Sequence, residues 1–274
     1  SWPAGTWFRR SDWSRVTSEI EDSAGVSYSF SGAGCSLRTA ATCRADDLSF
    51  DWPARGALRN GVVVCPLANV SIGGLSLART YLSDQGFPKD DWECVLFDAR
   101  GRMRRASFTH STTVSKLPLT RAWFDEKGRL TKGKLSEMAT YQGFRLMSSS
   151  DVALYSDGKL YSGTIDEPQR FGDLELGIGS DVILHPSGVI AEACCRIRYK
   201  DWDVMRGRFF PSGAPETLEL LKEVTIDGFS LAPGFVSLWP NGRLRGGMLA
   251  KPASFQGHKV APGSFQLDSN GQLI

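Results

Sequence analysis

Histidine is scarce in this chain of 274 residues: there are three, His110, His185 and His258. They stand at different offsets from the turn glycines described below, so stacked repeats do not gather them into a metal site. No Cys-x-x-Cys occurs, and no histidine lies near a cysteine at ligand spacing, which removes the structural zinc folds. Gly-x-Ser-x-Gly is absent, and with it the strained serine elbow of one large hydrolase class. No phosphate-binding loop or dinucleotide fingerprint follows a strand. No acidic loop has the EF-hand spacing. The sequence therefore implies no metal and no cofactor. An excess of charge is missing too: 32 basic residues face 30 acidic ones, a net +2. No basic stripe is interleaved with stacking aromatics, so nothing argues for nucleic acid. No apolar run reaches the ~18 residues of a membrane helix. The strand-like segments fall short of the ~9–11 residues of a membrane-barrel strand. No transmembrane segment is expected.

What the chain has in plenty is turn chemistry, with 29 Gly and 13 Pro, and β-formers, with 15 Phe and 8 Trp. Trp239-Pro240-Asn241-Gly242 sits between alternating apolar residues, Val236 and Leu238 before it and Leu244 after it. Pro presets φ for the first corner of a type I turn, Asn suits the second, and Gly takes the left-handed position that follows. That combination is a common hairpin connection. It recurs as His185-Pro186-Ser187-Gly188 and Phe210-Pro211-Ser212-Gly213, and without Pro as Asp98 to Gly101, Asp125 to Gly128, Tyr155 to Gly158 and Asp268 to Gly271.

The turn glycines 101, 128, 158, 188, 213, 242 and 271 lie 25 to 30 residues apart. Two residues after them comes an apolar position (Met103, Leu130, Leu160, Ile190, Leu244, Leu273). Seven after comes another (Phe108, Leu135, Ile165, Cys195, Leu220, Leu249). About fifteen after, Gly143, Gly172, Gly228 and Gly257 open a further strand-like scrap. Fixed-period similarity of this kind marks a repeat architecture. The expected fold is all-β: tandem ~29-residue hairpin repeats of two to three strands each, forming an extended or rolled antiparallel meander with little helix.

Residues 1–50 fit the period least and read as an atypical N-terminal cap, as repeat arrays require at an open end. Ser11 to Glu21 has helical spacing. Residues 51–274 read as the repeat array, with one insertion at 78–92. Between Ala214 and Val224, propensity favours a helix and the repeat register a strand; the register is followed.

The pattern apolar-x-apolar-x-Pro/Ser-Asn/Asp-Gly-Arg/Lys-Leu over 51–274, followed by a strand and then Gly-apolar-x-apolar, resembles hairpin repeats of bacterial extracytoplasmic proteins. It is more distantly similar to MORN-type arrays, although the repeats are longer and a Tyr-x-Gly opening is absent. Such arrays serve as scaffolds and for membrane or protein contact; the resemblance implies a sheet array, and no activity.

Six cysteines, an even number, in a Gly-rich β protein suit disulfides in an oxidising compartment. Cys35 with Cys43 and Cys65 with Cys94 are the pairings favoured among the 15 possible. The start at Ser1-Trp2-Pro3 is what signal-peptide removal leaves, and a trimmed chain gives the same ending. An extracytoplasmic location, secreted or periplasmic, is expected; six reduced thiols in a cytosolic protein is the alternative.

Three functional readings follow. The first is a secreted, non-enzymatic binding or scaffold module. It presents turn aromatics to a glycan, peptide or protein partner, with Trp52, Trp92, Trp202, Trp239 and His185 as contact residues. The same side chains could instead pack between repeats. The second is a glycan-acting hydrolase with its site in the 78–93 insertion. There Asp90, Asp91 and Glu93 could serve as general acid and base, hold Ca²⁺ through oxygen ligands, or form a solvated loop. The third is a rolled sheet holding a small apolar ligand.

Overall fold

A computed structural model describes residues 7–10, 28–30, 35–37, 62–65, 70–72, 75–78, 95–97, 102–255 and 258–274. These residues form strands and turns, with no helix among them. The chain divides into two compact units, Ser1–Glu137 and Met138–Ile274. The first contains β1 (Trp7–Arg10), β2 (Tyr28–Phe30), β3 (Cys35–Leu37), β4 (Val62–Cys65), β5 (Val70–Ile72), β6 (Leu75–Leu77), β7 (Val95–Phe97), β8 (Met103–Val114), β9 (Leu117–Phe124) and β10 (Leu130–Leu135). The second contains β11 (Ala139–Tyr141), β12 (Phe144–Leu146), β13 (Asp151–Leu154), β14 (Leu160–Thr164), β15 (Gln169–Phe171), β16 (Leu174–Leu176), β17 (Asp181–Leu184), β18 (Ile190–Tyr199), β19 (Trp202–Phe209), β20 (Pro215–Leu220), β21 (Val224–Ile226), β22 (Phe229–Leu231), β23 (Gly234–Leu238), β24 (Leu244–Leu249), β25 (Ala253–Phe255), β26 (His258–Val260) and β27 (Gly263–Gln266).

The fold is the expected all-β meander of hairpin repeats. In the first unit the antiparallel ladder runs β1-β4-β7-β8-β9-β10. In the second it runs β13-β14-β17-β18-β19-β20-β23-β24-β27. Segment 215–220 is strand β20, as the repeat register requires; pairing with β19 and β23 outweighs its local helix preference.

The turns form because their residues suit them. At Trp239 the N–H donates to Arg243 O and the Gly242 N–H donates to Trp239 O, both at 2.8 Å. The same pair of bonds closes the turns at Asp125, Tyr155, His185, Phe210 and Asp268. Gly158, Gly188 and Gly242 have φ of +82°, +87° and +79°, the left-handed geometry that glycine adopts without penalty.

Repeats are richer than two or three strands. The glycine at +15 closes a second, shorter hairpin, β11-β12, β15-β16 or β21-β22, and β25 pairs with β26 in the same way. Gln142-Gly143 and Asp227-Gly228 turn with both residues at positive φ. The short hairpins form a second layer. Phe144 and Leu146, and Leu174 and Leu176, alternate buried with exposed neighbours, so each short strand turns one face inward. The ladder turns Leu160, Val182, Leu184, Leu218, Val236, Leu238 and Leu244 inward. Small residues make room for this layer. A β-carbon on Gly163 would stand 2.8 Å from Leu146 Cδ2. In the second unit β16 also pairs with β18, and β22 with β24, which ties the layers together.

Among the described residues, two repeats lack the short hairpin. β8 runs directly into β9 and β18 directly into β19, as long hairpins. The Ser11–Glu21 helix, the insertion beyond Ala78, Cys43 and Cys94 lie outside the described residues.

Candidate functional site

The turn aromatics of the second unit form a hydrogen-bonded series. Tyr155 Oη–H donates to Leu184 O at 2.6 Å, His185 Nε2–H to Phe209 O at 2.9 Å, and Trp239 Nε1–H to Asp268 O at 3.2 Å. Tyr155 and His185 thus reach the end of the strand that leads into the next turn, and Trp239 reaches the first residue of the next turn, Asp268. The rings remain half-buried, and the Arg245 guanidinium lies 4.7 Å from the Trp239 ring centre. Trp202 is half-buried against Tyr199, ring centres 5.8 Å apart. Trp52, Trp92, Asp90, Asp91 and Glu93 lie outside the described residues.

Where β18 runs into β19 without a short hairpin, the end of β18 pairs with β16 of the second layer. A half-enclosed cleft of about 410 Å³ lies there, on the turn edge. Phe171, Gly172, Asp173 and Leu174, from the tip of β15-β16, form one wall. Gly188 to Ile190, and Ser212 with Gly213, form the turn side; Tyr199 and Phe209 line the rest. The Tyr199 and Phe209 rings are tilted, with centres 6.3 Å apart. Phe171 stacks on Phe144 at 4.8 Å, which fixes its orientation. The Lys200 N–H donates to Asp173 O at 2.8 Å and ties the two walls together. His185 holds the carbonyl of Phe209, and Trp202 backs Tyr199, so two of the residues expected to touch a ligand lie behind this cleft.

Burial first, then the Asp173 carboxylate, push the Tyr199 phenol above its ordinary value of 10. It therefore stays protonated and able to donate across the neutral range. Asp173 is exposed and free to accept at the mouth of the cleft. The arrangement is two half-buried rings, Phe171 and Tyr199, over the buried Phe209, with a phenol, a carboxylate and a hydroxyl (Ser212) at the edge. It suits a ligand with one apolar face and a polar rim. Phe171, Asp173, Tyr199 and Phe209 were not among the expected contact residues, because nothing local in the sequence says that a short hairpin is skipped.

The opposite face of the second unit is open. Phe235 and Met248 stand out from it, 58% and 50% exposed, beside a shallow depression of about 680 Å³. The Arg206 guanidinium sits 5.8 Å from the Phe235 ring centre and pairs with Glu219 at 2.7 Å. Two rings, Phe235 and the buried Phe265, line this depression where three line the cleft. Among the described residues there is no cluster of three or more metal-ligating side chains. No protein-family model matches the chain, and no curated protein matches it.

Proposed function

We propose that this chain is an extracytoplasmic, non-enzymatic binding module that seats one sugar ring of a glycan in the turn-edge cleft. The observation that carries this reading is the meeting of Phe171, Tyr199 and Phe209 around about 410 Å³, with Asp173 and Ser212 at the rim. A pyranose has C–H faces that stack on aromatic rings and hydroxyls around its edge. Asp173 accepts from those hydroxyls, and the Tyr199 phenol donates to them. Charge-assisted bonds to a carboxylate are the stronger kind. Gly172, Gly188 and Gly213 carry no side chain and let the ligand approach the backbone. The hairpin series around the cleft supplies a rigid frame, which lowers the ordering cost of binding.

Calorimetric titration with a panel of neutral and N-acetylated oligosaccharides tests this. At least one should bind, and Tyr199→Ala should weaken it about tenfold, or ~1.4 kcal/mol. Asp173→Asn, at an exposed position, should weaken it less and leave the melting temperature unchanged. Binding that is unchanged in Tyr199→Ala, or seen only with peptides, overturns the reading. Cleavage products that vanish in Asp90→Ala and Asp91→Ala would establish the hydrolase instead.

A further inference from the structure

The second feature of β18 is its pair of adjacent cysteines. Successive strand side chains point to opposite faces. Cys194 and Cys195 do not: their Sγ atoms lie 3.1 Å apart. A bulge brings them together. The register with β19 shifts between Cys194 and Ile197, and Cys195 and Arg196 both take left-handed φ, +63° and +58°. Cys195 occupies the position, seven after the turn glycine, where Phe108, Leu135, Ile165, Leu220 and Leu249 are buried. Here the bulge turns Cys195 out to solvent, and Ile197 is buried instead.

The bulge is held from a neighbouring loop. Ser180, fully buried, donates through Oγ to Cys195 O at 2.6 Å and to Arg196 O at 3.2 Å. The Gly177 N–H donates to Arg196 O at 2.8 Å. Gly177 must be glycine, since a β-carbon there would meet Arg196 O at 2.7 Å. The repeat before shows what is specific. Ser150, in the equivalent place, bonds Met147 O of its own loop, and Met147 stands where Gly177 does. A bend toward β16 requires a bulge, but it does not require two adjacent thiols, one of them, Cys195, at a non-glycine left-handed position. Bulges and such outliers concentrate where a side chain has work beyond packing.

We propose that Cys194 and Cys195 form a reversible dithiol–disulfide site that exchanges with low-molecular-weight disulfides. The exposed Cys195 loses its proton and attacks one sulfur of the disulfide, forming a mixed disulfide and releasing one thiolate. Cys194 then loses its proton and attacks the Cys195 sulfur. The Cys194–Cys195 bond forms and the second thiolate leaves. Two electrons pass to the small disulfide, which ends as two thiols. The order follows from access: Cys194 is half-buried, between Asp181 and Arg206 in register. Burial, and secondarily Cys195, push its thiol up to about 11. Adjacent α-carbons stand ~3.8 Å apart, closer than the ~4.4–6.8 Å usual across a disulfide. The closed ring is therefore strained and readily reduced, as regulatory disulfides are.

The test uses the full reduced chain in anaerobic mixtures of oxidised and reduced glutathione, quenched with acid, alkylated and digested with trypsin. The peptide 171–196 contains these two cysteines and no other. It should become two hydrogens lighter, unalkylated and free of glutathione, and dithiothreitol should restore it. Cys194→Ser should stop at a glutathione adduct on Cys195. Ser180→Ala, with its melting curve checked, should slow ring closure several-fold. A wild-type peptide that keeps two alkylatable thiols, or that ends as a stable glutathione adduct, overturns the proposal.

Discussion

A left-handed glycine can be required by space or by backbone alone, and Gly242 separates the two. A β-carbon there would meet nothing within 4 Å. Gly242→Val should therefore cost about 1–3 kcal/mol through backbone strain alone. Gly242→Asn, which tolerates this region, should recover most of that. Equal losses for Val and Asn in chemical denaturation would contradict the turn geometry. Asp125 carries a second test. Its carboxylate accepts from the N–H groups of Lys127 and Arg129 at 2.8 and 2.9 Å, and from Arg129 Nε at 2.8 Å. The Arg129 backbone bond, then its side chain, hold the carboxyl at about 2, below the ordinary 3.8. A folded value below the unfolded one adds stability above pH ~4, lost as pH falls toward 2. The melting temperature of Asp125→Asn should lie below the parent's at pH 5 and approach it near pH 2. A constant gap would show that the carboxylate bonds do not matter. The turns were legible in the sequence because their chemistry is local: a Pro, Asn or Asp and a Gly at fixed offsets.

Elements made of long-range contacts were harder to read. The second layer left a trace in the small residues five after the turn glycines, Gly133, Gly163, Ala193 and Gly247. Their meaning needs the partner: Gly163 faces Leu146, and Gly133 faces Leu119 Cδ2, 2.7 Å from where its β-carbon would be. Gly163→Ala should cost about 1–3 kcal/mol by overpacking. In a Leu146→Ala background the same change should be neutral or stabilising. A double-mutant cycle measures that coupling. An identical cost in both backgrounds would mean that the short hairpins do not pack as described. The bulge at Cys194 and Cys195 was legible only as a cysteine, Cys195, at the position seven after the turn glycine. Its geometry depends on Ser180 and Gly177, fifteen and more residues away.

At the scale of the whole chain, regularity supplies the frame, and its one omission in the second unit coincides with the cleft. Where β18 passes straight into β19, rings from three separate strands line that cleft. The period predicted the frame. The omission shows in the sequence only as a stretch after Gly188 that lacks the glycine at +15, and that absence does not name Phe171 or Asp173 as neighbours. The most direct measurement is saturation-transfer NMR with the tightest-binding oligosaccharide, comparing the parent chain with Tyr199→Ala. The account predicts strong transfer from aromatic protons to one face of a single sugar ring, lost in the variant. Transfer of equal strength in both proteins would place the ligand elsewhere and contradict the assignment of the cleft.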